Sequence, residues 1–139
     1  MRESGDLKSS KKREKMAGPK KFEDLEAWRK ARDLVNMIYD MTQESSLARD
    51  FGLKDQIQRA AVSIMSNLAE GFDRTHQAEK LQYYRVARAS AGEVRSLLYI
   101  LGDRKFVEEG SLKKARDLID AIGAMVYALA QSFANSSKH

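Results

Sequence analysis

The sequence predicts an all-α protein folded as an antiparallel up-down-up-down four-helix bundle. Three observations carry this. Apolar residues recur at steps of three and four in four successive stretches, the period of a helix with one buried face. Alanine outnumbers valine, isoleucine and threonine combined, 17 to 14, with a single proline, a balance that favours helix over sheet. No stretch shows the sustained alternation of a strand. At 139 residues the chain allows one domain, long enough to bury an ordinary core without staples.

The first helix is expected over about 23–43. Its stripe is Leu25, Trp28, Ala31, Val35, Ile38 and Thr42, and Glu23, Asp24 and Glu26 crowd the first turn, where they complement the helix dipole. Ser45 to Gly52 breaks the pattern and reads as a connection. The second helix is expected over about 53–71, with Ile57, Ala61, Ile64 and Leu68 inward and Gly71 as its stop. Thr75 is expected to cap a third helix, about 76–102, that turns Leu81, Tyr84, Ala91, Val94, Leu98 and Leu101 inward. After a loop from Gly102 to Gly110, Ser111 caps a fourth helix over about 111–134. Its stripe is the most regular: Leu112, Ala115, Ile119, Ile122, Val126, Leu129 and Phe133. Amphipathic helices joined by short connections bury their stripes most simply by alternating direction.

Two features point beyond a monomer. Ala121 to Ser137 carries no charge, and its positions off the stripe include Ala121, Ala124, Tyr127, Ala128 and Ala130. A helix apolar nearly all round needs a second covering surface. A membrane span is the rival, but Asp120 precedes the run, Gln131, Asn135 and three serines interrupt its end, and the apolar part is too short. Gly92 and Gly123 lie inside helices, where each costs roughly 1 kcal/mol relative to Ala; close approach of another helix backbone would account for both. Burial in a subunit interface, and hence an oligomer, is the expectation.

The net charge of +5 is not spread over this body. Residues 1–21 hold eight Lys/Arg and three Asp/Glu, while 22–139 hold 17 of each sign. The excess includes Lys11, Lys12, Arg13, Lys15, Lys20 and Lys21, in a segment with one Leu, two Met and no aromatic residue. Such a segment buries too little surface to fold, so 1–21 is expected to be a disordered basic tail. It reads as an arm adding sequence-independent phosphate affinity, as a solubilising tail, or as an extension upstream of a true start at Met16. No apolar run follows Met1, so no secretory signal is expected. The absence of Cys removes disulfides, thiol catalysis and Cys-based zinc sites, and suits the reducing cytoplasm. Two His, one of them the last residue, leave little for metal binding; no metal or cofactor is expected.

The polar residues offer one constellation. Arg59, Ser63, Asn67 and Glu70 share a face of the second helix, and Arg85, Ala89 and Glu93 share one of the third, with Ser90 close by. If the faces meet, a guanidinium, a carboxylate and an amide join one network. A catalytic use would make Glu70 or Glu93 a general base, but there is no nucleophile–base pair, metal cluster or phosphate-cradling glycine loop beside them. Arg–Glu pairs with an Asn amide are more often clasps that fix helix register or a subunit contact. His76, beside Asp73 and Glu79, reads as a surface residue at a helix entrance. Tyr83, Tyr84 and Tyr99 interleave with Arg85, Arg88 and Arg95, a mixture able to stack bases and neutralise phosphates or, equally, to edge a core or an interface.

Taken in order, FEDLEAWRKARDL (22–34), FGLKDQIQRAAVSIMSNLAEGFDR (51–74) and YYRVARASAGEVRSLL (83–98) resemble the bacterial four-helix-bundle family encoded in 23S rRNA intervening sequences. That family is related to the accessory protein of diversity-generating retroelements, which works with a reverse transcriptase. The chain departs from the family in having Met65 where proline is usual, no proline between Ser45 and Asp50, and Ala89 where glycine is common. The resemblance implies a ring-like homo-oligomer, a homopentamer, and no catalytic activity. It also implies RNA or DNA, or a nucleic-acid enzyme such as a reverse transcriptase, as a partner. Arg59, Asn67, Glu70, Arg85, Ser90 and Glu93 match the family's recurrent polar positions. Together with Arg74, Arg88 and Arg95 they are the candidate binding or interface residues. The expected function is a non-enzymatic, RNA-binding accessory protein; the alternative is a scaffold that docks a partner protein without touching nucleic acid.

Overall fold

The computed structural model describes residues 18–43 and 45–136. Four helices account for most of them: α1 (Glu26–Thr42), α2 (Phe51–Asp73), α3 (Gln77–Asp103) and α4 (Glu109–Ser136). Short 3-10 turns at Phe22–Asp24 and Ser45–Arg49 precede α1 and α2. No strand occurs among the described residues, an all-helical arrangement consistent with a four-helix bundle. Most of the expected tail, including Lys11, Lys12, Arg13 and Lys15, lies outside the described residues. Lys20 and Lys21 lie within them, and their backbone N–H groups donate to Asp24 Oδ2 at 3.2 and 3.3 Å, which ties them to the first turn.

The stripes meet in one core. Ala31, Leu34, Ile38, Ile57, Ala61, Ile64, Leu68, Val94, Leu98, Leu101, Ile122 and Val126 are fully buried. Leu47, in the second 3-10 turn, closes the core beside them. At one end the Phe22 and Trp28 rings meet edge-on, 5.0 Å between centroids, and elsewhere Tyr84 packs against Phe133 at 5.5 Å. Four expected positions differ. Val35 is only half-buried while Leu34 takes the innermost place on α1, Leu129 and Phe133 are half-buried, and Ala130, expected off the stripe, is buried. A helix turns about 100° per residue, so positions at the border of a stripe are decided by where the neighbouring helices sit.

The helix ends also depart from expectation. The α1 helix begins at Glu26 because Phe22–Asp24 forms its own tight turn. Asp50, from the expected connection, caps α2 by accepting from the Leu53 N–H at 3.1 Å, which starts that helix at Phe51. Gly71 does not stop α2, which runs on to Asp73. Its missing side chain serves packing instead: a Cβ there would stand 2.7 Å from Tyr84 Cε1 and 3.0 Å from Tyr83 Cβ. His76 rather than Thr75 is the N-cap of α3, with no side-chain cap bond. The α4 helix begins at Glu109, ahead of Ser111, with Glu108 C=O accepting from Leu112 N–H at 3.0 Å. After α3 the chain turns by a Schellman arrangement: Phe106 N–H donates to Leu101 C=O and Lys105 N–H to Gly102 C=O. Lys105 takes the left-handed conformation there, φ 55°.

Candidate nucleic-acid interface

The α2–α3 seam places each member of the expected polar row, and it does not form one network. In the middle, Ser63 and Ser90 hydroxyls lie 2.7 Å apart, and Asn67 Nδ2 donates to Ser63 C=O at 2.8 Å and to its hydroxyl at 3.0 Å. At one end Gln56 Nε2 donates to Glu93 Oε1 at 3.3 Å. At the other, Arg74 donates to Glu70 Oε2 at 2.8 Å and to Tyr83 hydroxyl at 2.9 Å, with its guanidinium over the Tyr83 ring. The hydrogen bond that Arg74 donates to Glu70, reinforced by Tyr83, raises the Arg74 pKa above its usual value. These are three separate clasps because 3.6 residues per turn keeps a row on one helix, while only its innermost members reach the partner.

The arginines at the margins of the row face outward. Arg59 pairs with Asp55 on its own helix at 3.2 Å, well exposed to solvent. Arg85 is exposed beside Ala78, Gln82, Val86 and Ala89 in a shallow hollow on α3. The row therefore unites serines and an asparagine rather than a guanidinium, an amide and a carboxylate. The tyrosines separate too. Tyr84 is 1% exposed, and burial, with the negative charge of Asp73 second, pushes its pKa up to about 12. It belongs to the core and offers no face to a base. Tyr83 is half-buried under Arg74.

The open aromatic–cationic surface lies on the other side of α3, against α4. The Arg88 guanidinium stands over the Tyr127 ring at 4.6 Å, Arg95 reaches Asp120 at 3.5 Å, and Arg116 stands over Tyr99 at 5.3 Å. Tyr99 and Tyr127 are 56% and 45% exposed, which makes them available where Tyr84 is not. Arg116 had no signal in the sequence, since its partner lies on another helix. Two further residues have partners that only the packing of helices brings near. Lys80 donates to Gly71 C=O at 3.3 Å and Phe72 C=O at 2.6 Å, closing the C-terminus of α2. Gln58 donates to the buried Thr42 hydroxyl at 2.8 Å. No close helix explains Gly92 or Gly123 within the chain: a Cβ on either would meet nothing within 4 Å. His76 is exposed. Among the described residues no group of three or more His, Asp or Glu is placed to hold a metal ion, and no helix is long and apolar enough to cross a membrane.

Fold and surface define a class: a helical protein whose polar side chains clasp helices together and which displays Arg88, Tyr99 and Tyr127 on the outside. The chain belongs to the 23S rRNA-intervening sequence protein family, whose model matches residues 23–128. A comparison with curated proteins finds no match. Among solved structures the fold is similar to a Bacteroides thetaiotaomicron protein of unknown function from the S23 ribosomal protein family. The TM-score is 0.70 at 16% identity, covering 76% of this chain and 95% of that one.

Proposed function

We propose that the protein is a non-enzymatic, homo-oligomeric accessory protein that binds nucleic acid, with RNA as its ligand. The observation that carries this is membership of a family named for the 23S rRNA intervening sequence. Its kinship with the accessory protein of diversity-generating retroelements belongs to the same reading. The protomer is an antiparallel up-down-up-down bundle, in keeping with the seam contacts: from Gln56 through Ser63 to Arg74 on one helix, partners fall from Glu93 through Ser90 to Tyr83 on the next. Assembly into a ring, a homopentamer in this reading, is supported by exposed Ala121 and Ala128 on the uncharged end of α4. The absence of Cys suits a cytoplasmic location. The lack of catalysis rests on Glu70 and Glu93 being engaged as clasps by Arg74 and Gln56.

Binding of a structured RNA by filter retention tests the function. Phosphate neutralisation releases counterions, so affinity falls steeply with salt. Retention insensitive both to salt and to substitution of Arg85 or Arg88 would overturn the reading. Light scattering tests assembly, and a 15.8 kDa monomer would end that part. The second reading, a scaffold docking a protein such as a reverse transcriptase, is favoured by one observation: residues 22–139 carry no net charge. No RNA retention beside a stoichiometric protein partner would select it.

A further inference from the structure

The face between α3 and α4 is built as a ladder. Its outer rungs are reciprocal, each helix giving one arginine and one tyrosine: Arg88 over Tyr127 and Arg116 over Tyr99. The middle rung is the exposed ion pair of Arg95 with Asp120. From Arg88 to Tyr99 the ladder runs about 16 Å along α3, at 1.5 Å rise per residue. Between the first and middle rungs lies an open hollow of about 360 Å³, lined by Gly92, Gly123 and Ala124 and edged by Arg88, Arg95 and Tyr127. The two glycines keep it open, since a side chain on either would project into free space.

Three guanidiniums stand here against one carboxylate, and Arg95 already answers that carboxylate. An anionic partner is therefore favoured over an acidic-and-basic protein surface or an apolar one. Exposed tyrosine faces and guanidiniums held against them are the surfaces on which unpaired bases stack. A duplex hides its base faces and would engage only the charges. Resting on the nucleic-acid reading above, we propose that this α3–α4 ladder is the binding surface for an unpaired stretch of RNA. One base enters the hollow over Gly92 and Gly123 and stacks beside Tyr127, a second stacks at Tyr99, and Arg88 and Arg116 meet the phosphates.

The test is fluorescence anisotropy of the full chain with a short, unstructured, fluorescein-labelled RNA, free and annealed to its complement. Wild type binds the single strand more tightly than the duplex. Tyr127→Ala weakens single-strand binding roughly tenfold, the low range of one lost stacking contact, and leaves duplex binding unchanged. Gly92→Met fills the hollow and gives a similar loss while the thermal midpoint holds or rises, because methionine is the better helix former. That pairing separates lost binding from lost folding. Equal binding by wild type and both variants would place the RNA elsewhere and overturn this inference, with the function reading intact. A wild type that binds no RNA at all overturns both. If Tyr127→Ala dissociates the oligomer and leaves RNA affinity unchanged, the face joins copies of the chain and the inference falls.

Discussion

Replacing Gly71 with alanine sets two effects of known size against each other. Inside a helix, Gly→Ala gains roughly 1 kcal/mol of backbone entropy, less near an end such as the last turn of α2. Against this, the new Cβ would stand 2.7 Å from Tyr84 Cε1 and 3.0 Å from Cδ1. Reaching an ordinary contact of 3.4 Å requires a shift of about 0.7 Å. Tyr84 cannot give way cheaply, being 1% exposed and packed on Phe133. Overpacking of this kind costs about 1–3 kcal/mol, so a net loss of about 1–2 kcal/mol is expected. For a domain of this size that lowers the Tm by roughly 3–10 °C. Gly92→Ala supplies the control with opposite sign, because its Cβ meets nothing within 4 Å and the helical gain of about 0.5–1 kcal/mol stands alone. Thermal melts by circular dichroism at one fixed protein concentration measure both, fixed because assembly links stability to concentration. A Gly71→Ala protein as stable as wild type would refute the close approach of Tyr84.

Lys80→Met removes two charge-assisted hydrogen bonds to the end of α2, together with the ammonium that stands over the Phe72 and Phe133 rings, while keeping an unbranched apolar side chain. A loss of about 1–2 kcal/mol in urea unfolding is expected, and a change below about 0.3 kcal/mol would show that solvent replaces the ammonium. Ser63→Ala and Ser90→Ala should each cost about 1 kcal/mol, but the double variant less than their sum, since removing both partners leaves no orphaned hydroxyl; strict additivity would deny the contact. Tyr84 gives a pH signature. With its pKa raised to about 12 from an unfolded value of 10, it binds its proton more tightly when folded. Its contribution is thus complete below pH 10 and is lost as pH climbs toward 12, by about 2 kcal/mol. Tyr84→Phe should flatten that part of the stability–pH profile; an unchanged slope would assign it to other groups.

How much of this was legible along the chain differs between core and surface. The inward sets of α2 and α3, from Ile57 to Leu101, followed from the 3.6-residue period, because burying one face is a local property of spacing. Helix ends were less so. Gly71 reads as a stop only if its freedom of φ is what matters, yet its role is to admit the Tyr84 ring from another helix. Lys105, not a glycine, takes the left-handed turn after α3, held by the Schellman bonds. On α2 and α3 spacing says which polar residues share a face but not which of them meet: Ser63, Asn67 and Ser90 come together, while Arg59 and Arg85 look to solvent.

By itself the sequence determined the class: four amphipathic helices, a neutral body and a basic beginning, all consequences of composition and period. Which side chains meet across helices was decided only by tertiary structure. Tyr84 and Tyr99 look alike in sequence, yet one is sealed in the core and the other stands open beside Arg116. The physical reason is that period assigns a residue to a face, whereas contact depends on the axial offset and rotation of two packed helices. That offset pairs Arg88 with Tyr127 and Arg95 with Asp120 and leaves a hollow over Gly92 and Gly123.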